Sequence, residues 1–417
     1  MLKSRLKYGI AVVAVFIICT CIDQYSPNLK VYDSLLAVDG LITDANVPYI
    51  VKLSRTLQNQ NDSPPSVSDA IVSLTDDAGN NSTFINTGSG IYKTDSTEFR
   101  GIVGRTYVLH IATSDGKEYE SEPCLMYPVP GIDSIYFLKD QQLVSNGTQT
   151  LDGVSIYLDS KGEDNNQYYR WAYEETWKFR VPYPKKYDYI KGADPNFPGI
   201  APVKDVKEFC WKNRKSDEIL TGSVNSASSA RIEKEPILFI GTDQSDRLLI
   251  QYSILVSQYS ISKKEYDFWN NLKQINESGG DIFAKQPFTV ISNIKNINNP
   301  AERVLGYFQV SAVKQKRKNI SFSDLVGLNL PVYHYPCERL VKEPNDYPNA
   351  FMAPPPTWTD LYSMFCITSN YYFVEPLYSS GTANLQKMVF AKPECADCEL
   401  TGIITKPDFW IDINGYV

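Results

Sequence analysis

The sequence predicts a mainly β protein: an N-terminal immunoglobulin-like or prealbumin-like sandwich, then a larger β-rich domain carrying one inserted helix. Three observations predict it. The chain holds 28 Tyr and many Thr and Asn in short apolar runs, the residue types that fit a pleated, half-buried surface. Turn signals punctuate these runs at short intervals, as in all-β sandwiches. Only one stretch repeats its apolar residues at helical spacing.

In chain order, Lys3, Arg5 and Lys7 precede an apolar run from Ile10 to Ile18. That run is shorter than the roughly 20 residues that span a bilayer, so residues 1–20 read as a secretory signal. Ile18-Cys19-Thr20-Cys21 resembles a bacterial lipobox, with Thr20 larger than the usual small residue. Cys21 is the expected lipid attachment site. One acyl chain holds weakly and two or more anchor stably, so the mature chain is expected to sit on a membrane through acyl chains on Cys21. Residues 21–30 form a polar tether.

Residues 31–122 read as the sandwich. Val31–Ile42 and Tyr49–Leu53 are strand-like, and Ala70–Thr75 leads into the turn Asp76-Asp77-Ala78-Gly79. Tyr107–Ile111 runs to Asp115-Gly116, a pair that tolerates the positive φ of a hairpin turn. Residues 123–131 hold three prolines, which cannot donate to a ladder, and mark a linker. The larger domain covers 132–417. Its longest strand, Tyr168–Arg180, carries Trp171, Tyr173 and Trp177 on one face, which reads as core rather than as a ligand platform. Ser262 and Glu265 form a capping box, and Tyr266, Trp269, Leu272 and Ile275 form the apolar stripe of a helix at about 263–277. Gly279-Gly280 ends it.

The net charge is −7, and the basic first 20 residues leave −10 for the rest. An acidic surface repels phosphate, so nucleic acid is excluded as a partner. Beyond Cys19 and Cys21 the cysteines are Cys124, Cys210, Cys337, Cys366, Cys395 and Cys398. An even set in an exported chain predicts disulfides, with 15 possible pairings. Cys395-Ala-Asp-Cys398 has the spacing of a redox or zinc motif, but a redox motif would want a following helix where Glu399–Thr405 reads as extended, and a zinc site would need two more ligands. The two histidines, His110 and His334, fall in different domains. No nucleophile elbow, zinc-protease, phosphate-loop or dinucleotide fingerprint occurs. Glu174 and Glu175 are strand neighbours and point to opposite faces. No catalytic residue, metal or cofactor is expected. The candidate binding surface is the tyrosine- and proline-rich loop Val181–Val203, with Tyr183, Tyr187 and Tyr189, together with Trp358.

Several blocks carry a family likeness: Leu36-Ala-Val-Asp-Gly-Leu-Ile42, Gly104-Arg-Thr-Tyr-Val-Leu-His-Ile111, Tyr119-Glu-Ser-Glu-Pro123 and Pro128-Val-Pro-Gly-Ile-Asp-Ser-Ile135. The most telling is Val256-Ser-Gln-Tyr-Ser-Ile-Ser262 with Tyr266-Asp-Phe-Trp269, Asn293-Ile-Lys-Asn296 and Val304-Leu-Gly-Tyr-Phe308. Cys395-x-x-Cys398 and Lys406-Pro-Asp-Phe-Trp410 complete the set. The chain resembles the Bacteroidota outer-membrane lipoproteins known as domain of unknown function 4249. The resemblance implies an outer-membrane location beside a TonB-dependent receptor and an accessory role in nutrient capture. It supplies no catalytic residues, and the periplasmic and cell-surface faces both stay open. The expected function is a non-catalytic binding or accessory subunit of a transporter. The rival expectations are an adhesin or surface-structure component and a hydrolase with an unrecognised carboxylate site.

Overall fold

The computed structural model describes residues 34–413, apart from 58–62, 96–98, 144–148, 163–166, 193, 195, 197, 225–230, 279–289, 347–355 and 382. The predicted signal, Cys21, the tether and Gly279-Gly280 lie outside the described residues.

The first half is strand after strand: β1 (Leu36–Ile42), β2 (Ile50–Arg55), β3 (Ile71–Asp76), β4 (Asn81–Asn86), β5 (Ile91–Lys93), β6 (Thr106–Ala112), β7 (Glu118–Ser121) and β8 (Cys124–Leu125). Alternate residues of β1 and β6 are buried, the period of a sheet with one face on a core. Gly79 and Gly116 take φ of 83° and 80° in the two predicted turns, a conformation open to a residue without Cβ.

The second half contains β9 (Ile132–Leu143), β10 (Thr150–Lys161), β11 (Tyr168–Arg180), β12 (Tyr187–Ile190), β13 (Gly199–Pro202), β14 (Phe209–Lys215), β15 (Leu220–Ser223), β16 (Arg231–Gly241) and β17 (Gln251–Ser260). Helix α1 (Lys263–Ser278) follows, then β18 (Ile294–Asn296), β19 (Leu305–Val310), β20 (Val313–Ser321), β21 (Leu340–Lys342), the short helix α2 (Trp358–Tyr362), β22 (Tyr372–Tyr378) and β23 (Leu385–Ala391). The protein is mainly β, as the sequence predicts.

The strand partners correct the predicted domain boundary. The first sheet runs β18-β7-β6-β3-β4-β5-β2-β1-β19, with β8 on β6. Two strands from beyond residue 290 therefore complete the N-terminal unit, although the sequence reading placed them in the larger domain. β19 lies parallel to β1, a pairing that needs a long crossover; here most of the second half is the crossover. Ile294, Phe308 and Val310 are buried in the same core as Leu36, Val51, Leu74 and Leu109. Asn293 accepts from Phe308 N–H and donates to its carbonyl at 2.9 and 2.8 Å, fixing β18 against β19.

In the second half, the sheet β16-β10-β9 and the sheet β14-β11-β17-β20 share one core. It contains Val154, Ile156 and Leu158 from β10 and Tyr169, Trp171, Tyr173 and Phe179 from β11. Trp171 and Tyr173 are 1% exposed and Trp177 8%, so the aromatic face is core. Trp171 Nε1 donates to Gln258 Oε1 at 2.9 Å, and Gln258 donates on to Pro130 O and to Ser160. The proline-rich stretch is thus a packed seam, with Met126 and Val129 buried. The edge strand β20 carries Lys314, Lys316, Arg317 and Lys318, charges that discourage edge-to-edge pairing.

Helix α1 forms where predicted, and Ser262 Oγ accepts the Glu265 N–H at 3.1 Å. The buried face is offset from the predicted stripe. Glu265 and Phe268 are buried, while Tyr266, Trp269, Leu272 and Ile275 are half-buried. The helix touches both halves: Tyr266 meets Tyr168, Trp269 meets Arg170, and Phe268 meets Tyr307 of β19. Two contact surfaces widen the buried stripe beyond one row.

The sheet β21-β23-β22 and α2 form a small C-terminal unit over two minor cores. Two disulfides tie it down, Cys210–Cys398 and Cys337–Cys395. The expectation that all six cysteines pair is corrected: Cys124 and Cys366 are free. They sit in different cores. Cys124 packs in the N-terminal one and hydrogen-bonds the Glu122 carbonyl at 3.2 Å, and Cys366 packs beside Leu361 and Phe365. A disulfide requires Cα atoms within about 7 Å.

Candidate functional site

The predicted contact loop is structural. Lys186 N–H bonds Val374 O at 3.0 Å, Tyr183 N–H bonds Cys395 O at 3.1 Å, and Lys185 N–H bonds Ala396 O at 3.0 Å. Tyr187 and Tyr189 lie on the hairpin β12–β13 and pack, with Trp358, against the core of Leu361, Phe365 and Phe390. Tyr189 stacks on Tyr362 at 4.1 Å and its hydroxyl meets Thr359 at 2.7 Å. Tyr183 packs on a separate cluster with Cys395. The structure brings three of the four predicted residues together, half-buried, as a clamp between the second half and the C-terminal unit. A free loop would show its rings to solvent; these rings have protein partners.

Solvent-facing apolar side chains concentrate elsewhere, on the segment Leu400–Ile413. Leu400 and Ile403 are each 53% exposed and Ile411 72%. Phe409 and Ile413 are also exposed. The segment is firmly held. Ile403 and Trp211 exchange two backbone bonds of 2.8 and 2.9 Å, and Gln251 bonds Ile411 O and Ile413 N–H at 2.7 and 3.0 Å. Trp410 is buried edge-on to Trp211 at 6.2 Å. Asp412 pairs with Lys406 at 2.7 Å and Lys178 at 3.5 Å, and Lys406 holds its carboxyl below the usual range. The Arg317 guanidinium lies 3.6 Å over the Phe409 ring. Five exposed apolar side chains thus sit on a segment held by backbone and side-chain bonds.

Beside this face runs a groove. A cavity of about 580 Å³ is lined by Arg180, Val181, Phe209, Leu249, Phe322, Val332 and Tyr335, among others. A second, of about 250 Å³, shares Leu249, Phe322 and Val332 and extends to Thr242, Leu325 and Leu330. One wall comes from the ends of β11 and β14 and the turn before β17. The other is the irregular segment Phe322–Tyr335, whose far end is pinned by Cys337–Cys395. Tyr335 is oriented from behind. Its hydroxyl donates to Asp246 at 3.3 Å, and that buried carboxylate also accepts from Trp177 Nε1 at 2.9 Å and Lys212 at 2.7 Å. Burial, then the Asp246 charge, pushes the Tyr335 hydroxyl up, so it stays a neutral donor.

A second buried carboxylate is paired through one oxygen, while its Oε2 has no hydrogen-bond partner among the described residues. Glu175 is fully buried, accepts from Tyr252 at 2.8 Å and pairs with Arg247 at 3.2 Å. Burial raises its pKa and Arg247 opposes the rise. Among the described residues no group of three or more His, Cys, Asp or Glu side chains is placed to hold a metal. No described helix is long and apolar enough to cross a membrane. His110 bridges Thr75 at 2.6 Å and Glu120 at 3.3 Å on the sheet surface, and His334 is exposed.

Glu265 stands apart. It lies at the seam of the two halves, 3% exposed, with Trp269 Nε1 donating at 3.3 Å. Burial raises its pKa from 4.5 to about 7 against the pull of Arg170; Cys124 and Tyr307 also face it. A raised folded-state pKa means the native state binds the extra proton. The stabilisation is complete below pH 4.5 and is lost as pH rises through about 7. Glu265→Gln should therefore gain about 3 kcal/mol on wild type between those limits. Urea unfolding at both ends of the window checks this; wild-type and variant stabilities that stay parallel would refute it.

The family described as Domain of unknown function (DUF4249) matches residues 22–317. The chain belongs to this family. No curated protein matches the chain. The match ends inside β20, so the outer wall of the groove, the Leu400–Ile413 face, Cys395-x-x-Cys398 and Lys406-Pro-Asp-Phe-Trp410 all lie beyond it. Neither groove nor exposed face was among the predicted site residues. The face left a weak signal in the sequence, the alternation of Phe409, Ile411 and Ile413 after a proline; the groove left none, because its walls come from five separate stretches of this DUF4249 protein.

Proposed function

We propose that this DUF4249 protein is an outer-membrane lipoprotein that acts as a non-catalytic accessory subunit, docking on a TonB-dependent transporter and assisting nutrient uptake. The observation that carries the reading is the face Leu400–Ile413: five large apolar side chains held on a rigid frame with solvent in front of them. The lipobox-like Cys21 supports it, because an anchor raises the local concentration of any membrane partner. A stable interface buries roughly 1,200–2,000 Å², and apolar anchors near its centre carry most of the binding energy. The contact is assigned to this face in place of the loop Val181–Val203, whose removal would strip the C-terminal unit of its clamp.

The test is co-purification from native membranes. Ile411→Asp together with Phe409→Asp should cut recovery of the transporter by at least about tenfold, since two buried charges would oppose docking, while the unfolding midpoint holds. Cys21→Ala should release the protein to the soluble fraction. Wild-type protein that purifies alone, with uptake unchanged on gene deletion, would overturn the reading. Lost attachment with normal uptake would favour the adhesin instead.

A further inference from the structure

The groove and the docking face belong to one surface. Trp211 and Lys178 are register partners, and so are Phe209 and Arg180, two positions away along each strand. The first pair carries the segment Leu400–Ile413: Trp410 packs on Trp211, and Asp412 pairs with Lys178. The second pair lines the groove. On the neighbouring strand Gln251 holds Ile411 and Ile413, while Leu249 and Ile250, just before it, line the groove. A partner seated on the apolar face therefore stands beside the open groove. Five apolar anchors are also few for an interface, which engages roughly 20–30 residues a side. The groove is the surface next to them.

Two features say what enters it. The walls are apolar: Leu249, Phe322 and Val332 are common to both cavities, and the charged residues that line them, Arg180 and Glu208, are paired with each other at 2.5 Å. The outer wall also presents main chain. Among the described residues, the N–H groups of Val332, Tyr333, His334 and Tyr335 donate to no backbone carbonyl, and the stretch belongs to no strand or helix. An added peptide satisfies such groups with its own main chain and places its side chains in pockets. A small apolar molecule has no main chain to offer. We propose that the groove receives an extended apolar segment of the docking partner, its main chain running along Val332–Tyr335 and its large side chains filling the two cavities. The proposal rests on the docking reading and adds the kind of chain that the partner inserts.

The test is site-specific photo-crosslinking of the full-length protein in native membranes, with the probe at Val332 or at Ile411, which are 43% and 72% exposed. Both probes should capture the same transporter, and mass spectrometry should map the Val332 adduct to an apolar stretch of it. Val332→Trp fills the junction of the two cavities, and Val332→Asp places an unpaired charge there. Each should lower transporter recovery by about tenfold or more while the unfolding midpoint holds, because Val332 is exposed in the free protein. Val332→Ile, which keeps the wall apolar, should leave recovery unchanged. Capture at Ile411 with none at Val332, or full recovery with both Val332→Trp and Val332→Asp, overturns the proposal and leaves the docking reading standing. A Val332 adduct with lipid in place of protein overturns it as well, and assigns the groove to acyl chains. Capture at neither site overturns both.

Discussion

Replacing Cys210 and Cys398 together by alanine should destabilise the protein by about 4–5 kcal/mol, the entropy of closing so long a loop in the unfolded chain. The two cysteines are 188 residues apart in sequence and both fully buried. Changing both avoids leaving an unpaired thiol in the core. The bond joins β14 to the turn Cys398–Leu400, from which the apolar face departs. Its loss should therefore free that face as well as lower stability. Urea unfolding under oxidising conditions measures the first effect, and hydrogen exchange at Ile403 and Trp211, which trade backbone bonds, measures the second. An unchanged midpoint would mean that the reduced, unfolded chain is already constrained some other way.

Gly306→Ala should be as severe, more than about 4 kcal/mol, here through a backbone conflict. Gly306 has φ +81°, and a Cβ there would stand 1.9 Å from the Val38 carbonyl oxygen, a backbone atom that cannot turn aside. Val38 and Gly306 are register partners in the parallel pair β1–β19, so the strands would have to separate and open the N-terminal core. Gly104→Ala is the control. Its φ is +85° with nothing within 4 Å of the added atom, so only the backbone penalty of about 1–2 kcal/mol applies. Equal thermal shifts for the two variants would show that β19 does not approach β1 as described.

Local features were legible where a few neighbouring residues decide them. The Asp115-Gly116 turn follows from the φ that glycine alone takes freely. The aromatic face of Tyr168–Arg180 follows from strand parity, and its burial from the size of the rings. The Ser262 cap follows from an orphan amide within the same turn. Residues touching three or four positions away carry their own signal.

Partners distant in sequence were not legible, because nothing local distinguishes them. Leu305–Val310 is an apolar strand wherever it pairs; the crossover through the second half places it beside Leu36–Ile42. Six cysteines allow many pairings, and only the meeting of β14, the strap ending at Cys337 and the Cys395–Cys398 turn selects two and leaves Cys124 and Cys366 free. Tyr187, Tyr189 and Trp358 have the composition of an exposed contact surface, yet the C-terminal unit covers them. Glu265 reads as a capping residue and is instead a buried acid, because β11, β8 and β19 close over the first turn of α1. By itself the sequence determined the family, the β class, the turns and the helix. The tertiary structure alone decided which surfaces stay exposed, since exposure is what remains after every long-range contact has been made.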